Sequence, residues 1–137
     1  MILTSVLTAF LFRLPASNLA HHTLAAYDHR MVIVESPVFT KVISAILDDE
    51  GYLAMQNALV ENPALGVVIP HGGGLRKMRW GVEGRGKRGG IRVIYYWWTG
   101  KDQIYLLYAY QKNNQTDLTQ EQIRQLGKLV EQELRHE

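Results

Sequence analysis

There is no cysteine among the 137 residues, which excludes a disulfide framework and a thiolate metal site. Long apolar runs are missing as well. The most apolar stretch, Ile2 to Phe12, is too short to cross a bilayer as a helix. No basic residue precedes it, as a secretory signal peptide would require, and Arg13 lies on the wrong side of it. Acidic charge is scarce in one place: between residues 76 and 92 Glu83 is the single carboxylate, against Arg76, Lys77, Arg79, Arg85, Lys87, Arg88 and Arg92. Eight basic and twelve acidic side chains remain elsewhere, a net of −4, so the overall charge of +2 hides a local cationic patch. Such a patch concentrates polyanions and speeds their arrival.

Length and apolar content fit one domain with a single core. Residues 1–30 read as an upstream extension or non-native N-terminal segment, because clear secondary-structure patterning begins only at Met31. A secretion signal is the alternative, with "PASNLA" as a weak cleavage site, and it would make the protein extracytoplasmic. His21, His22 and His29 fall in this segment with no carboxylate or thiolate patterned beside them, so no metal site is assigned.

From Met31 the chain reads as a succession of short elements. Met31–Glu35 is β-branched and predicts a strand. Ser36–Pro37 is an N-cap followed by the proline that a first helical turn tolerates. Val38, Phe39, Val42, Ile43, Ile46 and Leu47 recur at helical spacing. Asp48, Asp49 and Glu50 suit the start of a second helix, whose buried side is predicted as Leu53, Gln56, Leu59 and Val60. Asn62–Pro63 ends it. Residues 63–74 read as a loop containing "LGVVIP" and "HGGG". Three strands follow, Leu75–Trp80, Ile91–Trp98 and Gln103–Gln111, the last two closed by the turn "TGKD" and the first two joined by the glycine-rich segment 81–90. Thr119 and Gln122 form a capping box before a last helix with the stripe Ile123, Leu126, Leu129, Val130 and Leu134. The predicted fold is α+β: a small central, mostly antiparallel sheet with an N-terminal helical hairpin and a C-terminal helix.

Side chains alternate across a strand. Lys77 and Arg79 therefore share one face, with charged heads about 7 Å apart, and Arg76 points to the other. A neighbouring strand adds Arg92. Clustered cations repel, a cost that an arriving anion relieves. The adjoining "YYWW" supplies rings on which unpaired bases stack. Arg76, Tyr95 and Tyr96 are thus candidate RNA contacts, although the ordinary role of Trp97, Trp98, Tyr105, Tyr108 and Tyr110 is packing. His71 is a candidate acid or base by its chemistry and a loop residue by its setting.

The blocks "GGLRKMRW", "GKRGGIRVIYYWW" and "IYLLYAYQKNNQTDLT" resemble the RelE/HigB superfamily of type II toxin–antitoxin toxins, its HigB-like branch most closely. The resemblance covers residues 31–137 and sets the usual start at Met31. It implies a toxin that enters the ribosomal A site and cuts mRNA during translation. It also implies a cognate antitoxin, probing operator DNA through a helix-turn-helix domain of its own, with no direct DNA contact by the toxin. The setting it implies is cytoplasmic, without membrane contact. Lys77 and Arg79 fall where the RelE branch carries two lysines, Arg92 at its strand arginine, and Lys112 at the lysine ending the last strand. Asn113 stands where that branch has an arginine, and Thr119 aligns with its C-terminal tyrosine; the HigB-like branch shares both departures.

The reaction so implied needs no metal or cofactor. The ribose 2′-hydroxyl attacks the adjacent phosphorus, leaving a 2′,3′-cyclic phosphate and a free 5′-hydroxyl. Lys77 is the base, working from its neutral form beside Arg79 and Arg92, which clamp the phosphate. Lys112, His71 or Tyr95 is left as the acid. Arg85, Lys87 and Arg88 contact ribosomal RNA backbone, with Asn113 beside the site. A non-catalytic RNA- or ribosome-binding module of the same fold is the main alternative, and a module docking an acidic partner helix the next.

Overall fold

The computed structural model describes residues 31–82, 86–112 and 117–135, without the side chains of residues 86–89. The expected upstream segment 1–30, Arg85 and Asn113 lie outside the described residues, as do the side chains of Lys87 and Arg88. The element order is β1 (Val32–Glu35), α1 (Pro37–Ile46), α2 (Asp49–Glu61), β2 (Val67–Val68), β3 (Leu75–Val82), β4 (Gly86–Trp98), β5 (Gln103–Gln111) and α3 (Gln120–Arg135). The five strands form one sheet in the order β1-β5-β4-β3-β2, parallel between β1 and β5 and antiparallel elsewhere. This is the predicted α+β architecture. Two details differ: the loop 63–74 contains the short edge strand β2, and β3 and β4 run further into the glycine-rich segment than predicted.

The helix starts follow from their caps. Ser36 Oγ accepts from the Phe39 N–H at 3.0 Å and donates to the Leu107 carbonyl at 2.7 Å, so one hydroxyl both starts α1 and ties it to β5. Asp48 caps α2 by accepting from the Gly51 N–H at 2.7 Å. Thr119 and Gln122 form the reciprocal capping box of α3. The buried side of α2 is Met55, Gln56 and Leu59, while Leu53 is exposed. The spacing alone leaves this phase open, because Leu53 and Met55 lie on different sides of the same helix and only the sheet beneath it chooses between them.

The sheet buries residues on both faces. The helical hairpin covers the face of Met78, Ile91, Val93 and Tyr95, with Phe39, Ile43 and Met55 packed on it. Helix α3 covers part of the opposite face, where Ile123 and Val130 meet Leu75, Ile94, Tyr105 and Tyr110. Two register shifts shape the sheet. One lies between Trp80 and Val82 on β3. A Cβ on the facing Gly90 would fall 2.0 Å from the Trp80 carbonyl oxygen, so only glycine fits there. The other lies between Ile94 and Tyr95, which pair with Tyr108 and Leu106 and leave Leu107 as the extra residue. That bulge reverses the alternation along β5. Tyr108 and Tyr110 consequently share the α3 face with Tyr105 instead of opposing it.

Candidate polyanion-binding site

The α3 face carries the cations. Register places Lys77 opposite Ile94, and Ile94 opposite Tyr108. One row along, Arg79 faces Arg92, and Arg92 faces Tyr110. Directly opposed residues bring their Cβ atoms within about 5 Å, and like charges so placed destabilise a sheet. Arg92 is nonetheless 5% exposed. Its Nη1 donates only a long bond, 3.4 Å, to the Ile91 carbonyl. Among the described residues no carboxylate forms an ion pair with Arg79 or Arg92. Two guanidinium groups held on rigid strands, with no carboxylate partner among the described residues, form a candidate anion site.

Lys77 is differently placed. Its Nζ meets Asp117 Oδ1 at 3.1 Å. The same carboxylate oxygen accepts from the Leu118 N–H at 2.8 Å. The Leu118 N–H and the Lys77 ammonium hold the Asp117 carboxyl below its usual range. The sequence reading gave Asp117 no role, although it stands in the block "IYLLYAYQKNNQTDLT" just before the capping box. Tyr110 was also missed as part of this face, because the bulge that turns it there has no clear signature in "YLLYAYQ". Its hydroxyl is buried beside the Asp117 carboxylate, short of a well-formed hydrogen bond. Burial, followed by the nearby Asp117 carboxylate, pushes it up to about 12, against an opposing pull from Arg92.

Other predicted contacts separate from this cluster. Tyr95 is fully buried on the hairpin face, where its hydroxyl accepts from the Gly66 N–H at 2.8 Å and donates to the Pro63 carbonyl at 2.7 Å. Its ring has no open side on which a base could stack, which corrects that expectation and removes it as a proton donor at the cation row. Arg76 also points to the hairpin side, bonding the Gly66 carbonyl at 2.8 Å and lying over the Trp97 ring, 5.9 Å from its centroid. Its fork therefore braces the loop before β2 and is separated from Lys77 by the sheet. Tyr96 does lie on the cation face, half-buried, in the row of Leu75 and Tyr105. Lys112 is exposed just beyond the end of β5, two residues past Tyr110.

His71 sits in the turn between β2 and β3 with φ 59°, followed by Gly73 and Gly74, also at positive φ. Hydrogen bonds between Ile69, Gly72 and Leu75 fix this turn. His71 borders a cleft of about 270 Å³ between β2 and the start of α3, which Lys77 and Asp117 also line. Among the described residues no cluster of histidine and carboxylate side chains is placed to hold a metal ion, and no helix is long and apolar enough to cross a membrane.

The protein is a small α+β domain whose sheet carries two opposed arginines with no carboxylate partner among the described residues. Its identity is narrower: residues 55–136 match the family model described as the RelE toxin of the RelE / RelB toxin-antitoxin system, and the chain belongs to that family. It is a toxin of a toxin–antitoxin system, and membership implies a cognate antitoxin partner.

Proposed function

We propose that this toxin is a ribosome-dependent mRNA endonuclease of the HigB-like branch, cutting translated messages in the A site and so arresting translation. The opposed Arg79–Arg92 pair carries the reading: its two forks suit the non-bridging oxygens of a phosphodiester, and an RNA phosphate would relieve their repulsion. The 2′-oxygen attacks the adjacent phosphorus as the bond to the 5′-oxygen breaks. Lys77, drawn from Asp117 by the RNA and with its ammonium proton given up to solvent, takes the 2′-hydroxyl proton as a neutral amine. Lys112, at the open end of the arginine row, returns a proton to the leaving 5′-oxygen. The ribosome supplies the in-line geometry that a modest set of side chains does not impose.

Within this reading Arg85, Lys87 and Arg88 grip ribosomal RNA, and Asn113 adjoins the cut site. The domain proper comprises residues 31–137. The antitoxin carries the operator-binding helix-turn-helix, and the toxin acts in the cytoplasm.

The test is to induce the full chain in growing cells and map new 5′ ends on translated and untranslated versions of one message. The expected result is cuts confined to the translated version and absent with Arg92→Ala. Growth arrest without cuts would overturn the endonuclease in favour of a ribosome binder.

A further inference from the structure

We propose that the cleft between β2 and α3 is a nucleobase subsite, accepting a base of the RNA held by the arginine row and preferring one with an exocyclic amino group over uracil. The inference rests on the RNA-binding reading above and deepens it. Three observations support it: continuity with the cation row, shape, and the polarity of the rim.

Lys77 belongs to both places. It shares a face with Arg79 and lines the cleft beside Asp117. A ligand with a phosphate on the arginines and a flat ring on the other side of Lys77 would occupy one continuous site. A single-stranded nucleotide has that form, and RNA readers take up unpaired bases in this way.

The cleft has apolar walls on two sides, Val67 and Ile69 from the β2 segment and Ile123 from α3. Its volume of about 270 Å³ is of single-ring-system scale, at the small end of ligand sites. Val67 is 74% exposed, an unusually open position for a strand valine. The walls are held by fixed elements: β2 pairs with β3, and the His71 turn is closed by backbone bonds despite its positive φ.

The rim determines which base fits. Asp117 is an acceptor-only carboxylate beside the cleft, and Gln120 offers both a donor and an acceptor. A carboxylate accepts from the amino group of cytosine, adenine or guanine. Uracil instead presents its one ring N–H between two carbonyl oxygens, which an anion repels.

Titrating the full chain with each of the four nucleoside 3′-monophosphates, and with inorganic phosphate, while following backbone and methyl NMR signals tests this directly. Nucleotides are expected to shift Val67, Ile69, Gln120 and Ile123 as well as Arg79 and Arg92, with uridine weakest by about three- to tenfold, the worth of one hydrogen bond. Inorganic phosphate should move the arginine signals alone. Val67→Asp, at a side chain too exposed to govern folding, should abolish the nucleotide shifts in the cleft and retain the phosphate response. Gln120→Ala should weaken nucleotide binding less. Cleft signals that remain still with every nucleotide, or that move equally with inorganic phosphate, would overturn the proposal, as would uridine binding equal to the rest.

Cut-site mapping then separates the source of the base. A changed sequence preference in Val67→Asp identifies an mRNA base, and an unchanged preference with weaker ribosome binding identifies a ribosomal one. Cleft shifts in a protein that cuts no message would uphold the subsite and defeat the endonuclease reading alone.

Discussion

The Lys77 ammonium meets the Asp117 carboxylate at 3.1 Å across forty residues of chain. The contact joins β3 to the segment that starts α3 and places one anion at the edge of a cationic face. The neighbouring arginines have no such partner among the described residues, so the face divides into a neutralised lysine and two guanidinium groups without a carboxylate, of which Arg92 is buried.

Arg92→Ala is expected to lower ribosome-dependent cleavage by about 10²–10³-fold, the usual cost of losing one oriented charge donor. Ribosome affinity should change much less. Single-turnover cleavage and ribosome co-sedimentation of the same preparation measure the two separately. Arg92→Lys should restore only part of the rate, because an ammonium lacks the fork. Equal losses of affinity and cleavage would show that Arg92 only binds.

Asp117→Asn is expected to lower thermal stability at neutral pH and to make no difference in strong acid. The folded carboxyl titrates below its ordinary value, so its stabilisation is present above that value and is lost as pH falls through the folded one. The carboxylate is 66% exposed, so the effect should stay below about 1 kcal/mol. Paired melts at pH 7 and near the acid limit of folding provide the check. A difference that persists unchanged in acid would mean that the side chain acts through packing.

Tyr110→Phe is expected to change stability at neutral pH little, because it removes a buried hydroxyl that lies beside the Asp117 carboxylate without a well-formed hydrogen bond. In alkali the variant should do better than the parent. The folded phenol holds its proton up to about 12, so the parent loses stability as pH rises from the ordinary tyrosine value of about 10 through that range. Urea midpoints at pH 7 and pH 11 measure both effects. A clear loss at pH 7 would reveal a hydrogen bond made by this hydroxyl.

Tyr95→Phe is expected to cost about 1–3 kcal/mol, since it deprives the buried Gly66 N–H of its acceptor and the Pro63 carbonyl of its donor. Cleavage per folded molecule should be unchanged, because the side chain lies behind the sheet from the arginine row. Denaturant unfolding beside an activity titration tests this. A loss of cleavage at full folding would return Tyr95 to the site.

Local chemistry was legible in the sequence wherever it depends on residues close in the chain. Ser36, Asp48 and the Thr119–Gln122 pair marked helix starts because a cap and the N–H it satisfies lie within three residues. Strand alternation placed Lys77 with Arg79 and opposite to Arg76, since that geometry is fixed by the backbone. A neighbouring strand added Arg92, and the family resemblance added Lys112.

The remainder depends on what lies across space. Burial of Tyr95, exposure of Leu53 in place of Met55, and the turning of Tyr110 onto the cation face each depend on a neighbouring element. A bulge of one residue at Leu107 reverses every side chain that follows it in β5. The sequence by itself determined the elements, their caps and the concentration of positive charge. Tertiary packing alone decided which cations meet, which one Asp117 neutralises, and which rings are sealed away, because those outcomes depend on contacts between segments tens of residues apart.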